Sequence, residues 1–129
     1  MNPADPCPCG GGERLGACCG PYLAGELLPT AEATMRSRYT AYVLGDREHL
    51  LRTWHPRTRP SSLEIAGPDD DWLGLTVLRV EAGGLDDETG VVEFEARHAG
   101  ATPSDDAEVM HEVSRFGRRG GRWVYADPE

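Results

Sequence analysis

Apolar residues recur along this chain first at helical spacing and then at alternating positions, and the change of period divides it. Thr30, after Pro29, is placed to cap a helix, with Glu32 in the first turn where the helix dipole favours an acid. Met35, Tyr39, Tyr42 and Val43 then fall on one helical face, and Gly45-Asp46 stops the run. A short second helix is predicted in DREHLLRTW, with Leu50, Leu51 and Trp54 inward, ending at His55-Pro56 because the residue before a proline avoids the α region. Beyond it the period moves towards two. SSLEIA (61–66) is a short candidate strand. Trp72 to Glu81 is a longer one, and its apolar set changes face between Val77 and Leu78, which predicts a bulge or strong bend. Val92, Phe94 and Ala96 alternate with Glu93, Glu95 and Arg97, and further strands are predicted over Val109–Phe116 and Arg122–Ala126. Arg119-Gly120-Gly121 reads as the hairpin turn between the last two; Gly83-Gly84 and Gly100–Asp106 are the other connections. Helices followed by several antiparallel strands define an α+β fold.

Composition narrows the function classes. The chain has 129 residues, 39% of them hydrophobic, enough for one compact core and a small appendage. Its net charge is −9 and it contains no lysine. Six arginines (Arg36, Arg38, Arg47, Arg52, Arg57, Arg59) lie in residues 30–60, whereas acids dominate the later half, including the Asp69–Asp71 run. An acidic chain without a basic stripe repels phosphate backbones, which disfavours non-specific nucleic-acid binding. No stretch approaches the roughly 18–20 apolar residues of a membrane span. The N-terminus lacks the basic and apolar regions of a secretory signal, so a cytoplasmic location is expected.

All four cysteines stand in one stretch, CPCGGGERLGACCG, at Cys7, Cys9, Cys18 and Cys19. In a reducing compartment such clustering points to metal or redox chemistry before disulfides. The adjacent couple Cys18-Cys19 and the close couple Cys7/Cys9 are each poorly spaced for an internal bridge. A tetrahedral Zn²⁺ takes four such ligands with sulfur at roughly 2.3 Å, and four thiolates make a closed, structural site. Gly10, Gly11, Gly12 and Gly16 let the backbone bend between the couples.

The same residues, C-P-C-G-x-G-x₅-C-C-G, resemble the SEC-C motif, the zinc knuckle found at the C-terminus of the SecA translocation ATPase and in other bacterial proteins. Gly11 stands where that motif usually has serine, and Leu15 where it usually has tyrosine. MRSRY, TWHP, WLGLTV and SRF…GRWxY, in that order, are similar to the YchJ-like family of bacterial proteins. That resemblance implies a SEC-C-like zinc knuckle over 1–28 followed by an NTF2-like domain over 29–129, in which N-terminal helices pack on a bent antiparallel sheet to form a cone. On this division, chelation is expected to disorder the N-terminus and leave the rest folded.

A cone has an open mouth, and polar residues facing into it would form a site. Arg36 and Arg38 flank the apolar stripe of the first helix, with Glu93, Glu95 or Glu112 as candidate partners. The candidate pocket residues are Arg38, Tyr39, Trp54, His55, Arg97, Glu112 and Arg115. His55 is weighed as a base or a cap, and Arg97–Glu112–Arg115 as a cross-strand ladder that binds a carboxylate or knits the sheet. Trp72, Trp123 and Tyr125 are assigned to core or cavity wall. No Ser/His/Asp elbow, phosphate loop or nucleotide fingerprint appears, so no catalytic residue is assigned. Two function classes follow. In one, the chain is an interaction module whose knuckle docks on a protein partner, associated with translocation or the ribosome by resemblance to the SecA tail. In the other, it is an enzyme or small-ligand-binding protein that uses the cone. Homodimerisation through the open sheet face fits either.

Overall fold

A computed structural model describes residues 2–63, 72–99 and 107–129. Two helical segments begin the chain: a single 3₁₀ turn at Leu15–Ala17 and α1 at Gly20–Leu23. The long helix α2 spans Ala31–Leu44 and the short α3 spans Arg47–Arg52. Four strands follow: β1 (Trp72–Ala82), β2 (Thr89–His98), β3 (Glu108–Arg119) and β4 (Arg122–Pro128). They form one antiparallel meander in the order β1-β2-β3-β4. Residues 61–63 are not strand, and the rest of the SSLEIA candidate and the Gly100–Asp106 connection lie outside the described residues.

The helix boundaries follow from their caps. Thr30 is extended and its hydroxyl accepts from Ala33 N at 3.0 Å, satisfying an otherwise orphaned first-turn amide. Gly45 takes the left-handed conformation (φ 75°) that ends α2. Asp46 caps α3 by accepting from His49 N at 3.0 Å. Arg38 and Ser37, with Thr34, Thr40 and Ala41, are buried as fully as Met35 and Tyr39. The helix is therefore covered well beyond its apolar stripe. The sheet lies against Met35 and Tyr39; α3 covers the Ser37/Arg38 side, where Ser37 Oγ meets His49 Nε2 at 2.9 Å. The cysteine segment covers a third side through Thr40 and Arg36.

Strand register fixes which side chains face α2. Val77, Phe94 and Glu112 align across β1, β2 and β3, as do Leu75, Ala96 and Met110, while Val92 pairs with Ser114. A bulge between Val77 and Arg79 realises the expected change of face, and a second irregularity sits between Trp72 and Gly74. The chain leaving α3 closes the cone on β4: Tyr125 N donates to Thr53 O and His55 N donates to Tyr125 O, both at 2.8 Å. Gly120 and Gly121, both at positive φ, make the β3–β4 hairpin.

The β1–β2 connection is seated on the start of α2, where Ala31 N donates to Gly83 O at 2.9 Å. A methyl group at Gly90 would lie 2.5 Å from Gly83 Cα and 3.1 Å from Ala31 Cβ, against backbone that has no rotamer to yield. Gly90→Ala is expected to lower stability by about 1–3 kcal/mol, the cost of overpacking a close contact. An unchanged midpoint in chemical denaturation would show that the helix–sheet joint relaxes freely.

Candidate functional site: a cysteine cluster and an aromatic cone

Two chemical centres lie against α2, one at Arg36 and Thr40 and the other at Met35, Arg38, Tyr39 and Tyr42. The first is the cysteine cluster. The four Sγ atoms all lie within 4.8 Å of one another, and Cys9 and Cys18 are 3.6 Å apart. A tetrahedral metal with sulfur at roughly 2.3 Å would set them about 3.8 Å apart, so the donor set fits such an ion with little movement. Cys7, Cys9 and Cys19 are buried and Cys18 is half-buried. A methyl at Gly11 would stand 3.3 Å from Cys9 Sγ and 3.6 Å from Cys18 Sγ, so the site packs tightly around the position where serine is usual.

Four thiols in so small a space cannot share negative charge without a cation. Cys9 is drawn down to about 5, first by the hydrogen bond from Cys19, with Gly11 N–H and Cys18 assisting against burial. Cys18 is pushed up to about 12, first by burial and then by Cys9. Cys19 is pushed up as well, first by its hydrogen bond to Cys9. One thiolate is held by its neighbours at their expense, and a dication would remove that conflict.

The second centre is the cone between α2 and the concave face of the sheet. It encloses about 250 Å³. At roughly 30 Å³ per liquid water, that is room for a ring with a short substituent. Its walls are aromatic and apolar, with Tyr39, Tyr42, Trp54, Trp72, Phe94 and Tyr125 supplying the rings. Two charged side chains enter it, Arg38 and Glu112. Arg38 is 4% exposed, and its guanidinium lies 4.7 Å from the Trp54 ring centre and 4.9 Å from that of Tyr125. Its Nη1 donates to Leu50 O and to Thr53 Oγ1, both at 2.9 Å. Burial pulls its pKa down to about 10, against the favourable fields of Tyr42, Tyr125 and Glu112. Glu112 accepts from the Ser114 hydroxyl and from Tyr125 Oη (3.0 Å), both on Oε2. Burial and the adjacent Glu112 push the Tyr125 phenol up, so it stays a donor.

Of the predicted pocket residues, Arg38, Tyr39, Trp54 and Glu112 line this cone. Three do not. His55 stands outside it as a loop cap, its Nδ1 accepting from Arg57 N at 3.1 Å. Arg97 and Arg115 project from the other face of the sheet, both exposed, with Arg115 Nε on Asp127 at 2.7 Å. The proposed Arg97–Glu112–Arg115 ladder therefore does not form: Glu112 shares its face with Ser114 and Phe116, and Arg115 sits between them pointing away. The partners foreseen for Arg36 are also different. It pairs with Glu32 (2.9 Å) and donates to Cys9 O (2.7 Å), while Glu93 holds Arg79 and His111 on the outer face. Trp123 leaves the cone and donates to Pro29 O at 3.1 Å. Tyr42, Met110 and Ser114 were not singled out for the site. For the two on β3, the signal was the even-numbered face running 110, 112, 114, 116.

These features match a known protein family. The family model described as "YchJ, middle NTF2-like domain" fits residues 30–128. A UPF0225 protein of Chromobacterium violaceum is 54% identical over 92% of this chain and 88% of its own. One of Streptomyces coelicolor is 48% identical over 98% and 97%. Among solved structures, a SEC-C motif-containing protein of Rhodopseudomonas palustris superposes with a TM-score of 0.80 at 34% identity, covering 100% of this chain and 98% of that one. A second, from Psychrobacter arcticus, gives 0.79 at 28% identity over 98% and 82%.

Proposed function

This chain belongs to the YchJ-like UPF0225 family, SEC-C motif proteins with an NTF2-like domain, and from that premise we propose that it is a zinc-stapled protein that holds a small ligand in its cone. Zn²⁺ is the ion that suits four thiolates in a tetrahedral, closed set, and with no open position it serves structure. Cys7, Cys9, Cys18 and Cys19 would hold it. The observation that carries the ligand-binding reading is a charge arrangement. Arg38 and Glu112 enter one cavity with no ion pair between them. Each is held by neutral partners, Arg38 by Leu50 O and Thr53 Oγ1 and Glu112 by Ser114 and Tyr125, so neither charge is neutralised by an opposite one and each can be matched by a ligand.

Elemental analysis of purified protein is expected to find about one zinc per chain; its absence, with four titratable thiols in native protein, would overturn the metal assignment. For the cone, the test is a panel of ring-sized probes of each charge class, benzoate, benzamide and benzylamine, followed by thermal melts and tryptophan fluorescence. At least one class should raise the melting temperature. Met110→Trp, at the half-exposed wall position 110, should block it. A panel without effect would overturn the ligand-binding reading.

Docking of the cysteine segment on a protein partner is a second reading. It is favoured by Leu27, 63% exposed in the link between that segment and α2. A pull-down with wild-type protein and a Cys18→Ser, Cys19→Ser variant tests it, and equal recovery of partners would dismiss it.

A further inference from the structure

We infer that the cone selects a small apolar or aromatic monocarboxylate that also carries a hydrogen-bond donor, held between the open edge of the Arg38 guanidinium and the free oxygen of Glu112. This rests on the ligand-binding reading above and adds the chemical class.

The geometry specifies both ends. Trp54 and Tyr125, their ring centroids 5.3 Å apart, lie together on one side of the guanidinium, and Leu50 O and Thr53 Oγ1 take Nη1. No carboxylate among the described residues lies within ion-pair distance of Arg38, and its Nε and Nη2 have no hydrogen-bond partner there. Nor are these two nitrogens sealed. The fully covered and unpartnered side-chain polar atoms among the described residues are Trp54 Nε1 and Arg118 Nε. What remains is one edge of a planar fork, two parallel N–H groups without a partner among the described residues, on a side chain that lines a cavity with aromatic walls. That edge matches a carboxylate bidentately.

Glu112 sets the other end. Ser114 and Tyr125 both donate to Oε2, so Oε1 is left without a donor among the described residues on a side chain that lines the cone. A ligand hydroxyl or N–H would satisfy it. The same carboxylate repels a second negative charge, which argues for a monoanion over a dianion such as a phosphate monoester. The volume of about 250 Å³ limits the body to about one ring.

Wild-type protein needs no variant for the first test. Benzoate and benzamide have the same shape and differ in charge. Benzoate is expected to bind about ten- to hundredfold more tightly, the range for a charge-assisted pair over a neutral one. The donor-bearing 4-hydroxybenzoate should bind more tightly than benzoate, and phenyl phosphate more weakly. Arg38→Met keeps the apolar volume of the stem and should abolish the preference for benzoate over benzamide. Glu112→Gln should erase the advantage of the 4-hydroxyl and leave benzoate binding in place. Equal affinity for benzoate and benzamide would overturn this inference while leaving a ligand-binding cone intact. A cone that takes none of the probes would overturn the ligand-binding reading itself. Benzoate binding unchanged in a folded Arg38→Met protein would also overturn the inference, because it would place the anion elsewhere.

Discussion

Stripping the zinc proposed at the four cysteines, or replacing Cys19 by serine, is expected to destabilise the whole chain, α2 and the sheet included. A division at residue 28/29 predicts loss of the N-terminal segment alone, but the packing argues against so local an effect. Cys9 and Cys19 are 0% and 2% exposed, and they share one continuous apolar cluster with Leu15, Leu28, Met35, Tyr39, Phe94 and Trp123. Cys7 Sγ sits 3.7 Å from Thr40 Oγ1 in the middle of α2, and Arg36 reaches across to Cys9 O. Removing a dication would leave a thiolate at Cys9 near neutral pH, drawn down to about 5 by its neighbours, in a buried place. Loss of a structural metal belongs with the few changes that cost more than about 4 kcal/mol. Hydrogen exchange with and without chelator reads the outcome directly. Amides of α2 around Tyr39 and Thr40 should lose protection together with residues 2–28. Protection of α2 that survives chelation would show that the two parts fold independently after all.

What could be read from the sequence depended on whether the signal was local. The caps at Thr30 and Gly45 and the change of face after Val77 depend on neighbouring residues, and each matches the structure. The cysteine spacing is equally local, and the sulfurs do converge. The site residues that went astray are those whose orientation depends on register or on a distant element. Glu112 and Arg115 are three positions apart on a strand, so a period of two already separates their faces; grouping them with Arg97 neglected that parity. Arg38 was placed correctly at the edge of the α2 stripe, but its surroundings were not foreseeable. Its acceptors, Leu50 O and Thr53 Oγ1, come from the end of α3, and Tyr125 comes from the last strand. The burial of Ser37 and Thr40 was also hidden. An apolar stripe marks only the side facing the sheet, and here two further segments cover polar faces of the same helix.

His49 provides the other large effect, a loss of stability in mild acid. The side chain is 1% exposed and hydrogen-bonded at both nitrogens. Arg52 Nη2 lies 2.8 Å from Nδ1 and has only protons to give, so Nδ1 accepts. Nε2–H then donates to Ser37 Oγ at 2.9 Å, and Ser37 passes its own proton to Thr34 O at 2.9 Å. A second proton on the ring would set two donors face to face and bury a cation. Burial first, then the charge of Arg52, pull the His49 pKa down to about 4, with Asp46 opposing and Arg38 adding to the fall. In the unfolded chain the same imidazole titrates near 6.5. Between these values the unfolded state binds a proton that the folded state refuses. Stability is therefore fully present above about pH 6.5 and falls as pH drops towards 4. At about 1.4 kcal/mol per pKa unit, the loss approaches about 3 kcal/mol at the lower end. Denaturation midpoints at pH 7.5 and 4.5 test this against His49→Gln, whose amide can accept from Arg52 without titrating. Protonation of the cysteines would weaken the proposed metal site in both proteins alike, so the difference between the two profiles belongs to His49. The wild-type protein should lose about 2–3 kcal/mol more than the variant over that interval; parallel profiles would mean that the buried imidazole is charged, or free to turn to solvent, in the folded protein.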